Sequence, residues 1–406
     1  MNQPLDLIVF GATGFTGRLV AEYLQRTYGT GNTLRWALAG RDPVRLAAVR
    51  DAIGADPGLP LLSANAADPD TMTGLAARTR AVLSTVGPYQ RHGEALVAAC
   101  AAAGTDYVDL CGEPVWMAAM IPRLQAPASA SGARIVFSCG FDSIPFDLGV
   151  MFLQNQAMHR FGEPLVRVRG RVCAIQGGLS GGTIASALAT VEQLRRDPAA
   201  ARTMADPFAL TPGFRGPAQP DSAGAEYDDA AGGWTAPFLM APINTKNVHR
   251  TNALRGHPWG RDFVYDERML TGGGESGKAR ARRMALTNRL QERLLGFAPS
   301  RKLLQRFVLP RPGRGPDARE RESGSYELLF IGETTDGTEL RARVRGDADP
   351  GYGSTSKMIS ESALCLLQDV DRKETAGGVW TPGAAMGTAL LRRLQASAGL
   401  EFTIVA

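Results

Sequence analysis

The first third of the chain alternates short apolar runs with segments whose apolar residues have helical spacing. Six runs have the length of a buried strand, and they cover residues 5–10, 34–40, 59–64, 80–86, 106–110 and 133–138. After the first run, Leu19, Val20, Tyr23 and Leu24 recur at the spacing of one helix face. Strands that alternate with helices in this way predict a doubly wound parallel sheet.

The pattern changes after the sixth run. Residues 166–175 carry arginines at alternate positions, which predicts a strand with one solvated face in an antiparallel sheet. A Thr-Asp-Gly turn at 335–337 separates the alternating runs 326–334 and 338–345, and it predicts a β-hairpin. Residues 205–236 are rich in Pro, Gly and Asp and predict a long surface loop. Further elements are predicted as helices over 357–370 and 386–396 and a strand over 402–405.

These patterns predict an α/β protein of three parts. Residues 1–145 are expected to form a doubly wound Rossmann domain. Residues 146–375 are expected to form an α+β domain with an antiparallel or mixed sheet, and this domain carries the 205–236 loop. Residues 376–406 form a C-terminal helix and strand that could pack back on the first domain. A chain of 406 residues exceeds what one core normally supports, which also favours more than one domain.

Composition narrows the class of protein without identifying it. A hydrophobic fraction of 44% and a charged fraction of 21% are typical of a soluble globular protein. The net charge of +5 is mild and spread along the chain, so it does not indicate nucleic-acid binding. The five cysteines are far apart and form no metal-binding motif, so we expect reduced core thiols, no metal and a cytoplasmic location. We expect no signal peptide and no membrane-spanning helix.

A glycine turn directly follows the first apolar run and precedes the first helix. The turn has the spacing G-x-x-G-x-x-G, with Gly11 at the end of the strand, Gly14 where a diphosphate would approach, and Gly17 where the helix packs on the strand. In this strand–turn–helix context the motif predicts a dinucleotide site, because the helix N-terminus presents free N–H groups to phosphate. The predicted cofactor-binding residues of the turn are Gly11, Ala12, Thr13, Gly14, Phe15, Thr16 and Gly17. The alternative is a tight turn that binds nothing.

The end of the second run indicates which dinucleotide binds. Arg41 stands where an NAD site usually has an acidic residue that holds the ribose 2′-hydroxyl. A guanidinium group there suits a 2′-phosphate, so we predict NADP and include Arg41 among the cofactor-binding residues. The alternative is that Arg41 only faces water and that Asp42 binds the hydroxyl.

Ligands of open α/β sheets lie beyond the carboxyl ends of the strands. This rule adds Val86 and Gly87 to the predicted cofactor-binding residues and draws attention to Tyr89 and His92 as weak candidates for a proton donor. The Tyr-x-x-x-Lys pair of short-chain dehydrogenases is missing, so the catalytic residues stay open. Tyr89 could instead pack over the cofactor and His92 could cap the next helix. Asp142 follows the sixth run and is a further, weaker candidate, although it could simply cap a helix.

The sequence resembles the saccharopine dehydrogenase-like oxidoreductases. The shared motifs lie at 9–17, 36–41, 86–89, 107–113 and 140–145, and further blocks at 232–238, 243–245, 351–353 and 377–382 are similar to the mycobacterial trans-acting enoyl reductases. The resemblance implies an NADP-binding Rossmann domain, a mixed α/β domain, and reduction of a carbon–carbon double bond in a lipid or polyketide intermediate, as in glycolipid biosynthesis. Two alternatives stay open. One is an amino acid or imine dehydrogenase, and the other is a non-catalytic, lipid-associated protein that binds nucleotide.

The segment 278–311 combines arginines with leucines and other apolar residues. Much of it has the pattern of basic amphipathic helices, which can lie on an anionic membrane surface. We therefore expect a peripheral contact with the inner face of the plasma membrane. The alternative is that these are ordinary surface helices. From the resemblance and the mild charge we expect a small-molecule or acyl substrate and no nucleic-acid partner. The oligomeric state is left open by the sequence.

Overall fold

Two seven-stranded sheets organise the chain. The computed structural model describes residues 5–31, 33–177, 181–296 and 315–405. The strands are β1 Leu5–Phe10, β2 Trp36–Gly40, β3 Leu61–Ser63, β4 Thr79–Ser84, β5 Asp106–Asp109, β6 Arg134–Val136, β7 Arg167–Gln176, β8 Glu226–Asp228, β9 Gly233–Pro237, β10 Val264–Gly272, β11 Ser325–Glu333, β12 Glu339–Gly346, β13 Gly378–Trp380 and β14 Leu400–Val405.

Helices cover both faces of the first sheet and connect the strands of both. They are α1 Phe15–Tyr28, α2 Pro43–Ala52, α3 Pro69–Ala76, α4 Tyr89–His92, α5 Glu94–Ala103, α6 Pro114–Ser131, α7 Ile144–Phe161, α8 Gly181–Arg196, α9 Pro198–Ala205, α10 Ala241–Leu254, α11 Gly274–Gly296, α12 Ala318–Glu322, α13 Thr355–Gln368, α14 Pro382–Ala385 and α15 Gly387–Ser397. A single π-helical turn at Pro350–Ser354 precedes α13. Of the helices in the described ranges, none combines the length and apolar character that crossing a bilayer requires.

The first sheet is parallel throughout and has the strand order β3-β2-β1-β4-β5-β6-β13. All six strands predicted from the apolar runs are present, so the Rossmann prediction is confirmed. The strands are mainly apolar because helices cover both faces, and Leu7, Ile8 and Val9 of β1 are fully buried. The order reverses between β1 and β4, which opens a crevice at the carboxyl ends of these two strands.

The second sheet has the order β14-β12-β11-β7-β10-β9-β8. Its central strand β7 pairs antiparallel with β11 and parallel with β10, so the sheet is mixed, and the predicted hairpin forms β11 and β12. The prediction that the arginines of β7 face solvent is wrong for Arg171. This side chain is buried between Asp228 and Asp266, with N–O distances of 2.5 and 2.8 Å, because β8 and β10 bring carboxylates to it.

The predicted surface loop at 205–236 is wrong in part. The segment contains β8 and most of β9. Strand β9 pairs with β10, and β8 pairs with β9 at the edge of the second sheet. Phe208 and Leu210 are buried, and the Arg250 guanidinium donates a hydrogen bond to the Leu210 carbonyl at 2.6 Å. Composition missed this because a few apolar anchors and short edge strands suffice to fix an otherwise polar segment.

The C-terminal segment contributes to both sheets. Strand β13 pairs with β6 in the first sheet, and β14 pairs with β12 in the second. Helix α13 packs on α1, where the hydroxyl group of Tyr23 donates a hydrogen bond to the buried Glu361 carboxylate at 2.6 Å. The division into parts at residues 145 and 375 stays a prediction. Of the segment 278–311, residues 297–311 lie outside the described residues.

Candidate cofactor and active site

A cavity of about 1560 Å³ extends from the carboxyl ends of the first sheet to helices that connect strands of the second sheet. One side is formed by the loops that follow β1, β2, β4, β5 and β6, as the strand order predicts. The other side is formed by α8, by the start of α10 and by α11, while the π-helical turn borders the glycine turn, where Tyr352 packs against Phe15. Single small-molecule pockets typically measure about 300–1,000 Å³, so this cavity is large enough for more than one ligand.

The glycine turn lies at one end of the cavity. Gly11 has φ +91°, and a Cβ atom there would come within 2.7 Å of the side chains of Thr85 and Val86. A Cβ atom at Gly17 would lie 2.2 Å from the Gly11 carbonyl oxygen, so α1 packs directly on the turn. Both positions therefore require glycine, and the turn is shaped as a dinucleotide cradle.

The N-terminus of α1 points its free N–H groups toward this end of the cavity. Its N-cap residue Gly14 provides no side-chain cap, and the first turn contains no acidic residue. Uncapped N–H groups and the helix dipole favour an anion, so the residues present fit the diphosphate of NADP. The glycine turn and the cavity lining do not coincide completely, because Ala12 is fully buried and Gly17 lies behind the wall.

Two arginines lie beyond β2. Arg41 is exposed and lines the cavity, as predicted, and Arg45 of α2 lines it as well. Asp42 does not line the cavity, and its Oδ1 caps α2 by accepting hydrogen bonds from Val44 N and Arg45 N at 3.0 and 3.1 Å. Sequence analysis missed Arg45, although its place four residues after Arg41 would have put it on the same side of a helix start.

Val86 and Gly87 line the cavity just after β4. Opposite them lies α8, since a Cβ atom at Gly87 would come within 3.4 Å of Ser186 Oγ. Predicted cofactor residues and residues of the second domain thus meet at this point. It is the region in which a coenzyme ring and a substrate could be in contact.

Tyr89 borders the cavity but its hydroxyl group is engaged within the protein. The hydroxyl group donates to the Ser84 carbonyl at 3.2 Å and accepts from Leu110 N at 3.0 Å. Burial and the neighbouring Asp109 raise the pKa of Tyr89 well above its usual value. This arrangement favours a packing role for Tyr89. His92, at the end of α4, is exposed and lines the cavity.

Two acidic residues near the ends of β4 and β5 hold the loops in place. Glu113 accepts hydrogen bonds from the backbone N–H groups of Tyr89 and Gln90, each at 2.9 Å. Asp109 Oδ1 accepts from Cys111 N at 2.9 Å and from Ser138 N at 3.0 Å. Burial is the main cause that raises the pKa of Asp109 to about 7. Neither carboxyl group lines the cavity.

Asp142 differs from these two residues. It is half-buried, it lines the cavity, and among the described residues nothing donates a hydrogen bond to its carboxyl group. Burial alone raises its pKa to about 6. An ionisable group with a perturbed pKa in a cleft is a candidate for function. The sequence placed Asp142 after β6, but it could not show that the side chain faces the cavity.

The wall contributed by residues 204–284 is mainly apolar. Four methionines line it together with aromatic and aliphatic residues, and these are Met204, Phe238, Leu239, Met240, Ile243, Met269 and Met284. Methionine side chains are flexible and polarisable, so they adapt to apolar ligands of different shape. Arg195 and Arg293 lie at the same side. The arrangement suits a substrate with a long apolar portion.

Comparisons with known proteins agree with this geometry. The family model of the saccharopine dehydrogenase NADP-binding domain matches residues 7–136. A Mycobacterium tuberculosis protein provisionally named as a trans-acting enoyl reductase is 43% identical over 416 residues, covering 97% of this chain and 96% of that protein. The trans-acting enoyl reductase of Mycobacterium bovis is 39% identical over 414 residues, with the same coverage.

Solved structures show the same fold at low sequence identity. Saccharopine dehydrogenase (L-Glu forming) from Saccharomyces cerevisiae superposes with a TM-score of 0.54 at 13% identity, covering 99% of this chain and 100% of that one. Homospermidine synthase from Legionella pneumophila, solved in complex with NAD, has a TM-score of 0.51 at 9% identity, covering 98% and 91%. These likenesses confirm the predicted fold class.

Proposed function

Because this chain belongs to the saccharopine dehydrogenase-like oxidoreductases, in the branch of the trans-acting enoyl reductases, we propose that it reduces an activated carbon–carbon double bond in a lipid or polyketide intermediate. The chain is an NADP-dependent oxidoreductase. Our proposal goes beyond this assignment by naming the class of substrate. It would be an enoyl thioester or a related acyl group whose double bond is conjugated to a carbonyl group.

The observation that carries this proposal is the shape of the cavity. One end has the glycine turn and Arg41, and the other end has an apolar wall rich in methionine. A dinucleotide at the first end would leave room at the second for a chain of methylene groups, each of which gains about 0.8 kcal/mol on burial. A small, charged amino acid adduct would gain little from such a wall.

The predicted cofactor residues divide the binding of NADP among them. We assign the diphosphate to the turn around Gly11 and Gly14 and to the N-terminus of α1. Arg41 would bind the 2′-phosphate, with Arg45 beside it, and Gly87 would let the nicotinamide approach α8. When bound, NADPH supplies the hydride. The chain itself excludes water, orients the double bond and provides a proton.

The test is turnover of purified full-length protein with NADPH. Long-chain trans-enoyl N-acetylcysteamine thioesters should be reduced, with loss of NADPH absorbance and formation of the saturated thioester. The saturated thioester and the unactivated alkene of equal length are the controls and should leave NADPH unchanged. Oxidation of saccharopine with NADP, in the absence of enoyl reduction, would instead support the imine dehydrogenase alternative. Tight NADPH binding with no substrate consumed would support the non-catalytic alternative.

We also propose that the outer face of α11 contacts a membrane. The inner face of the helix is buried at Gly277, Ala281 and Ala285. The outer face exposes Leu286, Leu290 and Leu294, which are 69%, 55% and 40% accessible. The exposed arginines of the same helix include Arg282, Arg283, Arg289 and Arg293. Apolar side chains flanked by arginines suit an anionic lipid surface.

Flotation with phosphatidylglycerol vesicles tests this contact. At low salt the wild-type chain should float with these vesicles and not with phosphatidylcholine vesicles. The double variant Leu286→Gln/Leu290→Gln should lose flotation. Both leucines are exposed to water in the free protein, so their burial in lipid would supply part of the binding free energy. Val44→Gln is the matched control, since Val44 is 76% exposed on α2, and it should float like the wild type. Equal flotation of both variants would contradict the proposal.

A further inference from the structure

We propose that Asp142 is the catalytic acid that protonates the substrate carbon next to the carbonyl group. This inference rests on the proposed function and goes beyond it by assigning the proton. Among the described residues that line the cavity, Asp142 is the only acidic one. Its carboxyl group has no hydrogen-bond partner within the described chain, so it can donate its proton to a ligand.

The position of Asp142 is fixed by both domains. Its preceding residue Phe141 donates a backbone hydrogen bond to Thr355 Oγ1 at 3.0 Å, which ties the loop to the start of α13. Its following residue Ser143 accepts a hydrogen bond from Asn247 Nδ2 at 2.7 Å, which ties the loop to α10. Helix α10 begins in the apolar wall, at Pro242 and Ile243. The carboxyl group is therefore held where the cofactor side and the substrate side of the cavity meet.

Other protic groups of the same wall already use their protons. The hydroxyl groups of Tyr89, Ser138 and Thr355 donate to the carbonyl oxygens of Ser84, Cys111 and Pro350. The Cys111 thiol is a poor acid, because burial and the neighbouring carboxylates raise its pKa. Two titratable rivals line the cavity in the described residues: His92, on the exposed end of α4, and Tyr352, whose ring packs edge-on against Phe15 in the π-helical turn.

The step balances as a two-electron reduction. Hydride from NADPH forms a C–H bond at the β-carbon, and the π electrons of the double bond move toward the carbonyl group. The O–H bond of Asp142 then breaks while a second C–H bond forms at the α-carbon. The double bond is reduced, NADPH is oxidised to NADP⁺, and the Asp142 carboxylate regains a proton from a hydronium ion or buffer acid of the solution that fills the open cavity.

The experiment measures rate, product configuration and coenzyme binding in the same variants. The probe is an α-methyl trans-enoyl N-acetylcysteamine thioester, whose reduction creates a stereocentre at the protonated carbon. Asp142→Asn should lower kcat by about 10²–10⁴-fold. It should also shift the product from one enantiomer toward equal amounts of both, because solvent would then deliver the proton from either face. The NADPH dissociation constant, measured by calorimetry without substrate, should change less than about threefold.

The outcomes separate the two proposals. If the wild type reduces no enoyl thioester, the proposed function fails and Asp142 loses its assigned step. If Asp142→Asn keeps the wild-type kcat and a single product enantiomer, the catalytic role of Asp142 is overturned while the proposed function stands. Asp142→Glu retains an acid and should keep more activity and stereoselectivity than Asp142→Asn, which covers the case of a poorly folded Asn variant. His92→Gln should keep the wild-type product configuration, and its loss there would assign the proton to His92 instead.

Discussion

Replacing Asp142 with asparagine should change how the stability of the folded chain depends on pH. The half-buried side chain is partly removed from water and gains no partner among the described residues, and this burial raises the pKa of its carboxyl group from 3.8 to about 6. The folded state therefore holds this proton to higher pH than the unfolded state does. This difference in proton binding costs the folded state free energy at any pH above the unfolded pKa.

The magnitude follows from the two pKa values. A shift from 3.8 to about 6, at about 1.4 kcal/mol per pKa unit, gives a destabilisation of ~3 kcal/mol in the wild type at high pH. The penalty is absent below the unfolded pKa and grows as pH rises through the folded value. About 1.5 kcal/mol of it should develop between about pH 5 and pH 8. The amide side chain of the Asp142→Asn variant cannot ionise, so the variant escapes this penalty.

The measurement is the unfolding free energy in urea, determined at about pH 5 and at about pH 8. Asp109 and Asp147 are also buried with raised pKa values, of about 7 and 6, and burial raises the pKa of Glu267 as well, so the wild type alone would mix several titrations. The difference between Asp142→Asn and the wild type isolates the one group, and it should move in favour of the variant by about 1.5 kcal/mol at the higher pH. Asp262→Asn, at an exposed position, is the control and should show no such change. A difference that is the same at both pH values would refute the claim that the Asp142 carboxyl group is buried without a partner.

Three further predictions concern the coenzyme end of the cavity. Arg41→Ala should weaken NADPH about 10–100-fold in calorimetry and NADH much less, because charge-assisted hydrogen bonds to the 2′-phosphate contribute about 1.5–3 kcal/mol, and adding Arg45→Ala should widen the gap. Equal losses for both coenzymes would contradict the assignment. Gly17→Ala should weaken NADPH binding at least about tenfold and lower thermal stability, because its Cβ would lie 2.2 Å from a backbone oxygen. Gly74→Ala, whose Cβ would have no atom within 4 Å, is the control and should bind NADPH normally. Tyr89→Phe should lower the unfolding free energy by about 1–3 kcal/mol, because Leu110 N loses its partner, but should keep the product configuration of the reductase assay.

The sequence predicted the parts of the fold whose pattern is local. Parallel strands such as β1 and β2 are buried on both faces, so they appear as continuous apolar runs. The hairpin of β11 and β12 was equally clear, because an Asp-Gly turn fixes the register of the strands on either side. The glycine turn was recognised for the same reason, since strand, turn and helix are contiguous in the chain.

Features that depend on distant partners were not visible. Arg171 looked like a solvated position because nothing local shows that Asp228 and Asp266 lie opposite it. Strand β13 has only three residues and pairs with β6, which lies more than 240 positions earlier in the chain, so no sequence pattern predicts it. Similarly, the hydroxyl group of Tyr89 looked available as a donor until the fold placed the Ser84 carbonyl against it.

The candidate active site depends on the same long-range connections. The predicted cofactor-binding residues all precede residue 145, yet the loop that carries Asp142 is hydrogen-bonded to Thr355 and to Asn247 of α10. Helix α10 is in turn anchored to β13, because Arg250 donates a hydrogen bond to the Val379 carbonyl at 2.7 Å. Nucleotide binding could therefore survive a disturbance of these contacts, since the glycine turn is built locally. Proton delivery could not, because the acid is positioned by contacts that only the folded whole provides. A change at Asn247, such as Asn247→Ala, should accordingly leave NADPH affinity nearly intact while it lowers both the rate and the stereoselectivity of enoyl reduction.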